Sequence, residues 1–303
     1  MPKNTRFASC LVGLAVGSSR CNDAHVPGEH AKMAEIVTKA LMASRPSQHL
    51  SEDIEAGDLP QFSREMAKRL IEWSKDEEGN DKPSMQVRAA CETLAAGMTP
   101  GMTEGAEVVA RAVPVGLYFL DNVPKIIRFS VASSELTHRG ESAGCAAAAA
   151  AILVSVAMSE APMGTWAHEL MMVMRGIDKR LDSCVDDAVA LVANGKDPMS
   201  LDNLGSCHGI VTSSLGCCML FPKDFSMAVE TASHSSEATA SLVGALMGAR
   251  LGLGGIPSEW IKPAGKWIAL AEELERVANA SGILPEKKSE AKEKGKGQGD
   301  EEN

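Results

Sequence analysis

A short segment rich in glycine and small polar residues could bind an anion. Its members are Gly205, Ser206, Cys207 and Gly209, and a largely apolar run follows them. Backbone N–H groups of glycine-rich turns near helix starts bind phosphate oxygens, because they present the positive ends of peptide dipoles. The segment is therefore a candidate binding site for a diphosphate.

The residues that act elsewhere as nucleophiles or metal ligands form no local motif here. No GxSxG turn supports a serine nucleophile with a histidine base. The eight cysteines are scattered, without a CxxC pair, and several lie in apolar stretches. This pattern favours reduced, buried thiols in a cytoplasmic protein. The following histidines lack the spacing of zinc-finger ligands, so the sequence predicts no zinc site among them: His30, His138, His168, His208 and His234.

Composition limits the classes of partner and of fold. The chain has 303 residues and a formal net charge of -10 at pH 7, which argues against nucleic acid or an anionic membrane as a partner. Hydrophobic residues make up 45%, enough for a substantial core, but aromatic residues make up only 4%. Because strands favour aromatic and β-branched residues, this balance predicts closely packed helices and an all-α fold.

Helical periodicity indicates the elements that must position any site. It is clearest over residues 62–73, 123–136, 182–192 and 263–280. Residues 143–158 lack charge and are rich in alanine. They fall short of the roughly 20 residues needed to span a bilayer, so they predict a buried helix.

The two ends of the chain have different characters. Lys3 and Arg6 before the apolar residues 7–16 imitate a secretory signal, but a first core helix is the favoured interpretation. Residues 285–303 have mixed charge and almost nothing apolar, which predicts a disordered tail. Residues 1–284 are predicted to form a single domain.

A row of small residues marks one helix as central. Ala240, Gly244, Gly248 and Gly252 recur every four residues, on one face of a helix. Each glycine costs a helix roughly 1 kcal/mol relative to alanine. The row is explained if another backbone packs directly against it.

One signature resembles that of the ADP-ribosylglycohydrolase family. Residues 233–261 read SHSSEATASLVGALMGARLGLGGIPSEWI, and the family's signature reads GGDxDTxAAxxGAxxGAxxGxxxIPxxW. Four further blocks resemble segments of the family in order and spacing: LVGLAVGSSR (11–20), ARAVPVGLYF (110–119), SSELTHRGESAGCAAAAA (133–150) and LGSCHGIVTSSLGCCMLF (204–221). The resemblance covers about residues 7–275 and extends to the J1-type crystallins of jellyfish.

This resemblance implies a single orthogonal helical domain whose cleft holds two Mg²⁺ ions. It also implies an enzyme that removes ADP-ribose from protein side chains or related adducts. Two such ions orient the ribose hydroxyls and prepare a water for attack at the anomeric carbon. By position, the resemblance places His138 near the cleft, gives Arg111 a structural or phosphate-facing role, and places residues 204–221 beside the ADP-ribose.

The chain departs from the family at the metal-ligand positions, where one carboxylate remains. These positions are Ser18 in the opening block, Phe62 and Ser63 at the early aspartates, and Ser235, Glu237 and Ala238 in the C-terminal signature. Mg²⁺ prefers carboxylate, hydroxyl and water oxygens in near-octahedral geometry. The replacements therefore predict that a pair of dications is held poorly or not at all.

Two interpretations follow from the resemblance. The first is a catalytically degenerate member, without a cofactor, whose residual cleft binds ADP-ribose, a related nucleotide or an ADP-ribosylated protein. The alternative is an active Mg²⁺-dependent hydrolase of protein ADP-ribose adducts with rearranged ligands. Substitute carboxylates would come from Asp23 or Glu29, or from Asp53, Glu55 or Asp58. At least four side-chain oxygens within about 5 Å in the cleft, beside the remaining carboxylate, would favour the alternative.

Overall fold

The computed structural model describes residues 4–22, 25–47, 57–76, 82–159, 161–204 and 206–282. This part of the chain contains α-helices and short 3₁₀ turns but no strand, which confirms the predicted all-α fold. The helices are α1 (Asn4–Ser19), α2 (Glu29–Ser44), α3 (Asp58–Ser74), α4 (Met85–Ala95), α5 (Glu107–Arg111), α6 (Val113–Tyr118), α7 (Val123–Glu135), α8 (Glu141–Met158), α9 (Trp166–Met174), α10 (Lys179–Ala193), α11 (Cys207–Leu220), α12 (Phe225–Ser233), α13 (Glu237–Leu251), α14 (Ser258–Ile261) and α15 (Lys266–Ala280). The 3₁₀ turns are Met163–Thr165, Pro198–Leu204, Leu253–Gly255 and Lys262–Ala264.

Helices α1 and α13 form the centre of the fold, backbone against backbone. A Cβ atom added to Gly244 would lie 2.0 Å from the carbonyl oxygen of Gly13, and one added to Gly17 would meet the carbonyl oxygen of Ala240. A Cβ on Gly248 would lie 2.1 Å from the carbonyl oxygen of Ser9. The small-residue row thus has the close backbone partner that the sequence predicted, and that partner is α1.

The row ends before its fourth predicted member. Gly252 caps the C-terminus of α13 with a φ of 76°, in the left-handed region that side chains other than glycine rarely adopt. Its glycine is therefore explained by the end of the helix rather than by packing against α1.

Helices α8 and α11 pack around the central pair. Helix α8 contacts α5, α6, α7, α11 and α13, and α11 contacts α13. Such apolar helices suit burial on every side. Helix α8 is long and apolar enough to cross a membrane by length and composition, but 83% of it is buried inside the protein. The predicted buried helix over residues 143–158 is thus confirmed.

The amphipathic helices cover this core, and three of them begin at different residues from those predicted. Helix α3 begins at Asp58, four residues before the predicted start. Helix α10 begins at Lys179 because the side chain of Asp178 caps it. Helix α15 begins only at Lys266, since Pro263 belongs to a separate 3₁₀ turn.

The start of the chain forms a core helix, as predicted. Residues 7–16, the predicted apolar run, are all buried within α1. The predicted tail at residues 285–303 lies outside the described residues.

Candidate functional site

The ends of three helices meet around Glu237, the one carboxylate that remains at the positions aligned with the family's metal ligands. The Ser18 hydroxyl, at the end of α1, donates a hydrogen bond of 2.7 Å to Glu237 Oε1. The same oxygen accepts the backbone N–H of His30, in the first turn of α2, at 3.1 Å. The N–H of Gly28 donates to Ser18 Oγ at 2.7 Å, which links the start of α2 to α1. We call Ser18, Gly28, His30 and Glu237 the helix-end network.

The helix-end network is closely packed as well as hydrogen-bonded. A Cβ atom on Gly28 would lie 2.7 Å from Glu237 Oε1 and 2.9 Å from Oε2. Cys21 follows α1, and its thiol lies 3.8 Å from the carbonyl oxygens of Ser233 and Ser236. Burial, followed by the charge of Glu237, raises the pKa of the Cys21 thiol to about 12. The thiol is therefore neutral at physiological pH.

A buried carboxylate, that of Asp202, lies beside the C-terminal signature, and the sequence did not reveal it. Its Oδ2 accepts the hydroxyls of Ser235 at 2.6 Å, Ser236 at 2.9 Å and Thr239 at 2.6 Å. Asp202 comes from the 3₁₀ turn Pro198–Leu204, and only 7% of it is exposed. The Ser235 position, where the family has an aspartate, thus faces a carboxylate supplied by another segment. No local motif around Asp202 marks this role.

The early metal positions lie elsewhere in the fold. Phe62 is fully buried, with its ring 5.2 Å from that of Phe129, which in turn stacks near Phe119. Ser63, one residue on, lines a surface groove with residues of α4 and α7. Ala238, which belongs to the C-terminal signature rather than to the early positions, is buried in the first turn of α13. The structure therefore brings Ser18 together with Glu237 but places Phe62 in the aromatic core.

A cluster of ionisable groups surrounds His138. Its Nε2 lies 3.5 Å from Glu107 Oε2, and its Nδ1 lies 2.8 Å from the Thr137 hydroxyl. Ser84 joins two carboxylates, since its N–H donates to Glu29 Oε1 at 2.8 Å and its hydroxyl donates to Glu107 Oε1 at 3.0 Å. Such a cluster of carboxylates and imidazole can hold or move a proton.

Burial shifts the pKa values in the His138 cluster. Burial, reinforced by the charge of Arg111, lowers the pKa of His138 to about 4, although Glu107 opposes the shift. Burial also raises the pKa of Glu29 above its ordinary range, against the effect of its hydrogen bond from Ser84. Burial alone would raise the pKa of Glu107. Its hydrogen bonds and the nearby histidines outweigh burial, so the pKa of Glu107 is lowered. His138 is consequently neutral at pH 7.

Arg111 is fully buried and donates one hydrogen bond, from Nη2 to the carbonyl oxygen of Ser134 at 3.1 Å. Its Nε and Nη1 atoms have no hydrogen-bond partner. Desolvation by burial lowers the pKa of the guanidinium to about 10, so it stays charged at neutral pH. Because it reaches no surface, its position favours the structural role over a phosphate-facing one.

The predicted diphosphate segment begins helix α11. Ser206 is the residue before this helix, and its hydroxyl accepts the N–H of Gly209 at 3.0 Å. A Cβ on Gly209 would lie 2.4 Å from the carbonyl oxygen of Leu201, so close backbone packing explains this glycine. Cys207 is buried, and Gly205 lies outside the described residues.

The start of α11 contributes to a cluster that spacing alone did not reveal. Ligand atoms of Cys145, Asp178 and His208 all lie within 4.8 Å of one another. They come from the starts of α8, α10 and α11, and His208 Nε2 lies 3.2 Å from Asp178 Oδ2. Burial, followed by the charge of Asp178, raises the pKa of the Cys145 thiol to about 12. The thiol is protonated at neutral pH, which argues against an activated nucleophile.

The substitute magnesium ligands considered from the sequence divide into two groups. Asp23, Asp53 and Glu55 lie outside the described residues. Asp58 accepts the N–H of Ser47 at 2.8 Å and has the buried Lys125 ammonium 3.8 Å away. Among the described residues, no group of three acidic, histidine or cysteine ligands forms around Glu237.

Comparison with known proteins identifies the fold. The model of the ADP-ribosylglycohydrolase family matches residues 27–291. A solved structure titled "ADP-ribosylglycohydrolase-related protein complex" is similar, with a TM-score of 0.66 and 19% sequence identity. The match covers 91% of this chain and 99% of the other. No curated protein matches the chain.

Proposed function

The chain belongs to the ADP-ribosylglycohydrolase family, and on that premise we propose that it binds ADP-ribose or a related nucleotide without a two-magnesium hydrolytic site. The proposal rests on the hydrogen bonds of Glu237, the one carboxylate left at the positions aligned with the family's metal ligands. Its Oε1 already accepts the Ser18 hydroxyl at 2.7 Å and the His30 N–H at 3.1 Å. These bonds make Glu237 a link between helices α1, α2 and α13.

The residues at the compared positions do not fit a pair of Mg²⁺ ions. Mg²⁺ demands near-octahedral oxygen ligands and gives up its waters reluctantly. A cation at Glu237 Oε1 would have to displace a hydroxyl and an amide hydrogen, both aimed at that oxygen. The Ser18 oxygen is occupied as well, because it accepts the N–H of Gly28. Phe62 contributes a ring to the core and no oxygen. These residues therefore support no magnesium-dependent catalytic step.

Two considerations support the binding part of the proposal. Family membership favours a ligand of the ADP-ribose class, and the start of α11 carries the glycine-containing segment that resembles the family's ADP-ribose-lining segment. The positive end of that helix favours the diphosphate of such a ligand over an uncharged sugar.

The test is a calorimetric titration of the full chain with ADP-ribose, with and without millimolar Mg²⁺. We expect the same dissociation constant in both buffers, and ribose alone should give no heat. Mg²⁺ alone should leave the melting temperature unchanged, since a ligand stabilises a protein only by binding its native state. Absence of ADP-ribose binding in both buffers would refute the binding part.

The alternative, an active hydrolase with rearranged ligands, gives different results. A Mg²⁺-dependent rise of several degrees in melting temperature, abolished by Glu237→Gln, would show that Glu237 coordinates the ion. Release of ADP-ribose from an ADP-ribosylated protein by the unmodified chain would overturn the proposal directly. Glu230→Gln, on the neighbouring helix α12 and outside the helix-end network, is the matched control for the charge change.

A further inference from the structure

We propose that Cys145, Asp178 and His208 bind one transition-metal ion of the zinc class. The three side chains supply one thiolate sulfur, one oxygen and one nitrogen, and a water or an external ligand would take the fourth position. The Cys145 thiol would release its proton to solvent as the metal–sulfur bond forms. Tetrahedral zinc sites with three protein ligands and one open position use these ligand types. This inference does not rest on the ADP-ribose proposal, although His208 lies in the first turn of α11, the helix start that the proposal places beside the diphosphate.

The geometry is close to that of a tetrahedral site. The three ligand atoms lie within 4.8 Å of one another, and Asp178 Oδ2 is 3.2 Å from His208 Nε2. Ligand atoms placed 2.0–2.3 Å from a tetrahedral zinc ion are roughly 3.3–3.8 Å apart. Closing the site therefore requires shifts of about 1 Å or less, within the reach of side-chain rotation.

The imidazole of His208 lacks a partner that a metal ion would supply. Only 2% of this residue is exposed, and its Nε2 makes no hydrogen bond. The approach to Asp178 is short, but it does not have hydrogen-bond geometry. Buried polar atoms are nearly always paired, so an unpaired nitrogen directed into a group of ligands points to a missing partner.

Neighbouring residues hold the ligands in place. The other oxygen of Asp178, Oδ1, accepts the N–H of Arg180 at 2.8 Å, which fixes this carboxylate as the cap of α10. The Ser142 hydroxyl lies 3.4 Å from Asp178 Oδ2 and supports the oxygen that faces the site. Cys145 sits on the same helix as Ser142, within the rigid alanine-rich α8. Hydrogen bonds of this kind orient ligands before the metal arrives.

The types of ligand select the class of metal. Thiolate and imidazole suit zinc and cobalt, whereas Mg²⁺ and Ca²⁺ require oxygen ligands. A second thiol, that of Cys207, is nearby but donates to the Ser142 carbonyl oxygen at 3.4 Å, so we do not count it as a ligand. Histidine spacing predicted no zinc site in the set that includes His208. The proposed site departs from that prediction, because the fold rather than the spacing brings its three ligands together.

The test uses Co²⁺ as a spectroscopic substitute, added to the full chain after chelator treatment and under reducing conditions. We expect one equivalent of Co²⁺ to produce intense tetrahedral d–d bands and a sulfur-to-cobalt charge-transfer band. Zn²⁺ should then displace the Co²⁺ and remove both signals. Cys145→Ala should abolish the charge-transfer band, and α8 should tolerate it because alanines already follow this position.

Two cysteine variants serve as controls, and one further variant tests the site without removing the sulfur. Cys207→Ser and Cys184→Ser, the latter on α10, should both keep the band. His208→Gln should weaken Co²⁺ affinity about 100-fold or more. Mutating a residue that only hydrogen-bonds a metal ligand already lowers metal affinity by about 10–100-fold. Weak octahedral spectra, a band that survives Cys145→Ala, or a band lost in Cys184→Ser would each overturn the assignment.

Discussion

The contact between α1 and α13 makes Gly244→Ala the most informative single substitution for the fold. The added Cβ would lie 2.0 Å from the carbonyl oxygen of Gly13 and 2.8 Å from its carbonyl carbon. Ordinary contacts to a Cβ begin near 3.4 Å. The obstruction is backbone rather than a flexible side chain, so the two helices must separate to relieve it. The difference between the two distances gives a separation of about 1.4 Å.

The magnitude follows from two opposing effects. Alanine improves helix propensity by about 1 kcal/mol relative to glycine. Overpacking a core costs about 1–3 kcal/mol, because side chains leave their preferred rotamers and the backbone shifts. Separating α1 from α13 also loosens the contacts of Gly17 and Gly248 on the same face. Taking the upper end of the overpacking cost less the gain in helix propensity, we expect a net loss of about 2 kcal/mol. This corresponds to a fall of roughly 4–8 °C in melting temperature.

Thermal unfolding followed by circular dichroism measures this effect, with Gly144→Ala as the matched control. Gly144 is a buried glycine in α8, and its added Cβ would lie 3.4 Å from a methyl group of Val131, an ordinary contact. The control should be neutral or slightly more stable. Gly13→Ala with Gly244→Ala should cost less than the sum of the single variants, because one separation of the helices relieves both clashes. Equal melting temperatures for Gly244→Ala and Gly144→Ala would refute the reasoning.

Three further predictions concern charge and the tail. Ser235→Asp should lower the melting temperature at pH 7, because it places a second carboxylate against Asp202. Adding Asp202→Asn should restore the stability. A Ser235→Asp variant as stable as the unmodified chain would contradict this prediction. His138→Asn should reduce the loss of stability between pH 7 and pH 5, measured by urea unfolding at each pH. The folded pKa of about 4 lies below the unfolded value of 6.5, so the unfolded state gains the proton first and stability falls by about 2 kcal/mol. Deletion of residues 285–303 should change the melting temperature by less than about 4 °C, and a larger fall would show that the tail packs on the domain.

The sequence predicted the helices that it marked by helical periodicity, by an apolar run or by a row of small residues, because these signals are local. The row that contains Gly244 indicated a close backbone partner, and the uncharged stretch that became α8 indicated a buried helix. One of the three boundary errors, that of α10, comes from capping. Asp178 begins α10 through a side-chain bond to the Arg180 N–H, an interaction that apolar periodicity does not register.

The sites were less predictable, because their partners are distant in the chain. Asp202 reaches Ser235 and Thr239 from a 3₁₀ turn that has no motif of its own. Cys145 and His208 were considered separately from the sequence, and only the packing of three helix starts brings them together. Alignment of a family signature locates missing ligands, but it does not show which new neighbours the replacements acquire.

Those new neighbours show how the charge of Glu237 is stabilised within the protein. Glu237 stands in the first turn of α13 and accepts the N–H of His30 in the first turn of α2, so the positive ends of two helix dipoles stabilise its charge. A second carboxylate at this point would repel the first, since like charges a few ångströms apart cannot both stay ionised without a partner. At Ser235 the carboxylate comes instead from Asp202, where three hydroxyls satisfy it. Both carboxylates thus have hydrogen-bond donors and the helix ends are joined directly, an arrangement that supports the proposed lack of a two-magnesium site.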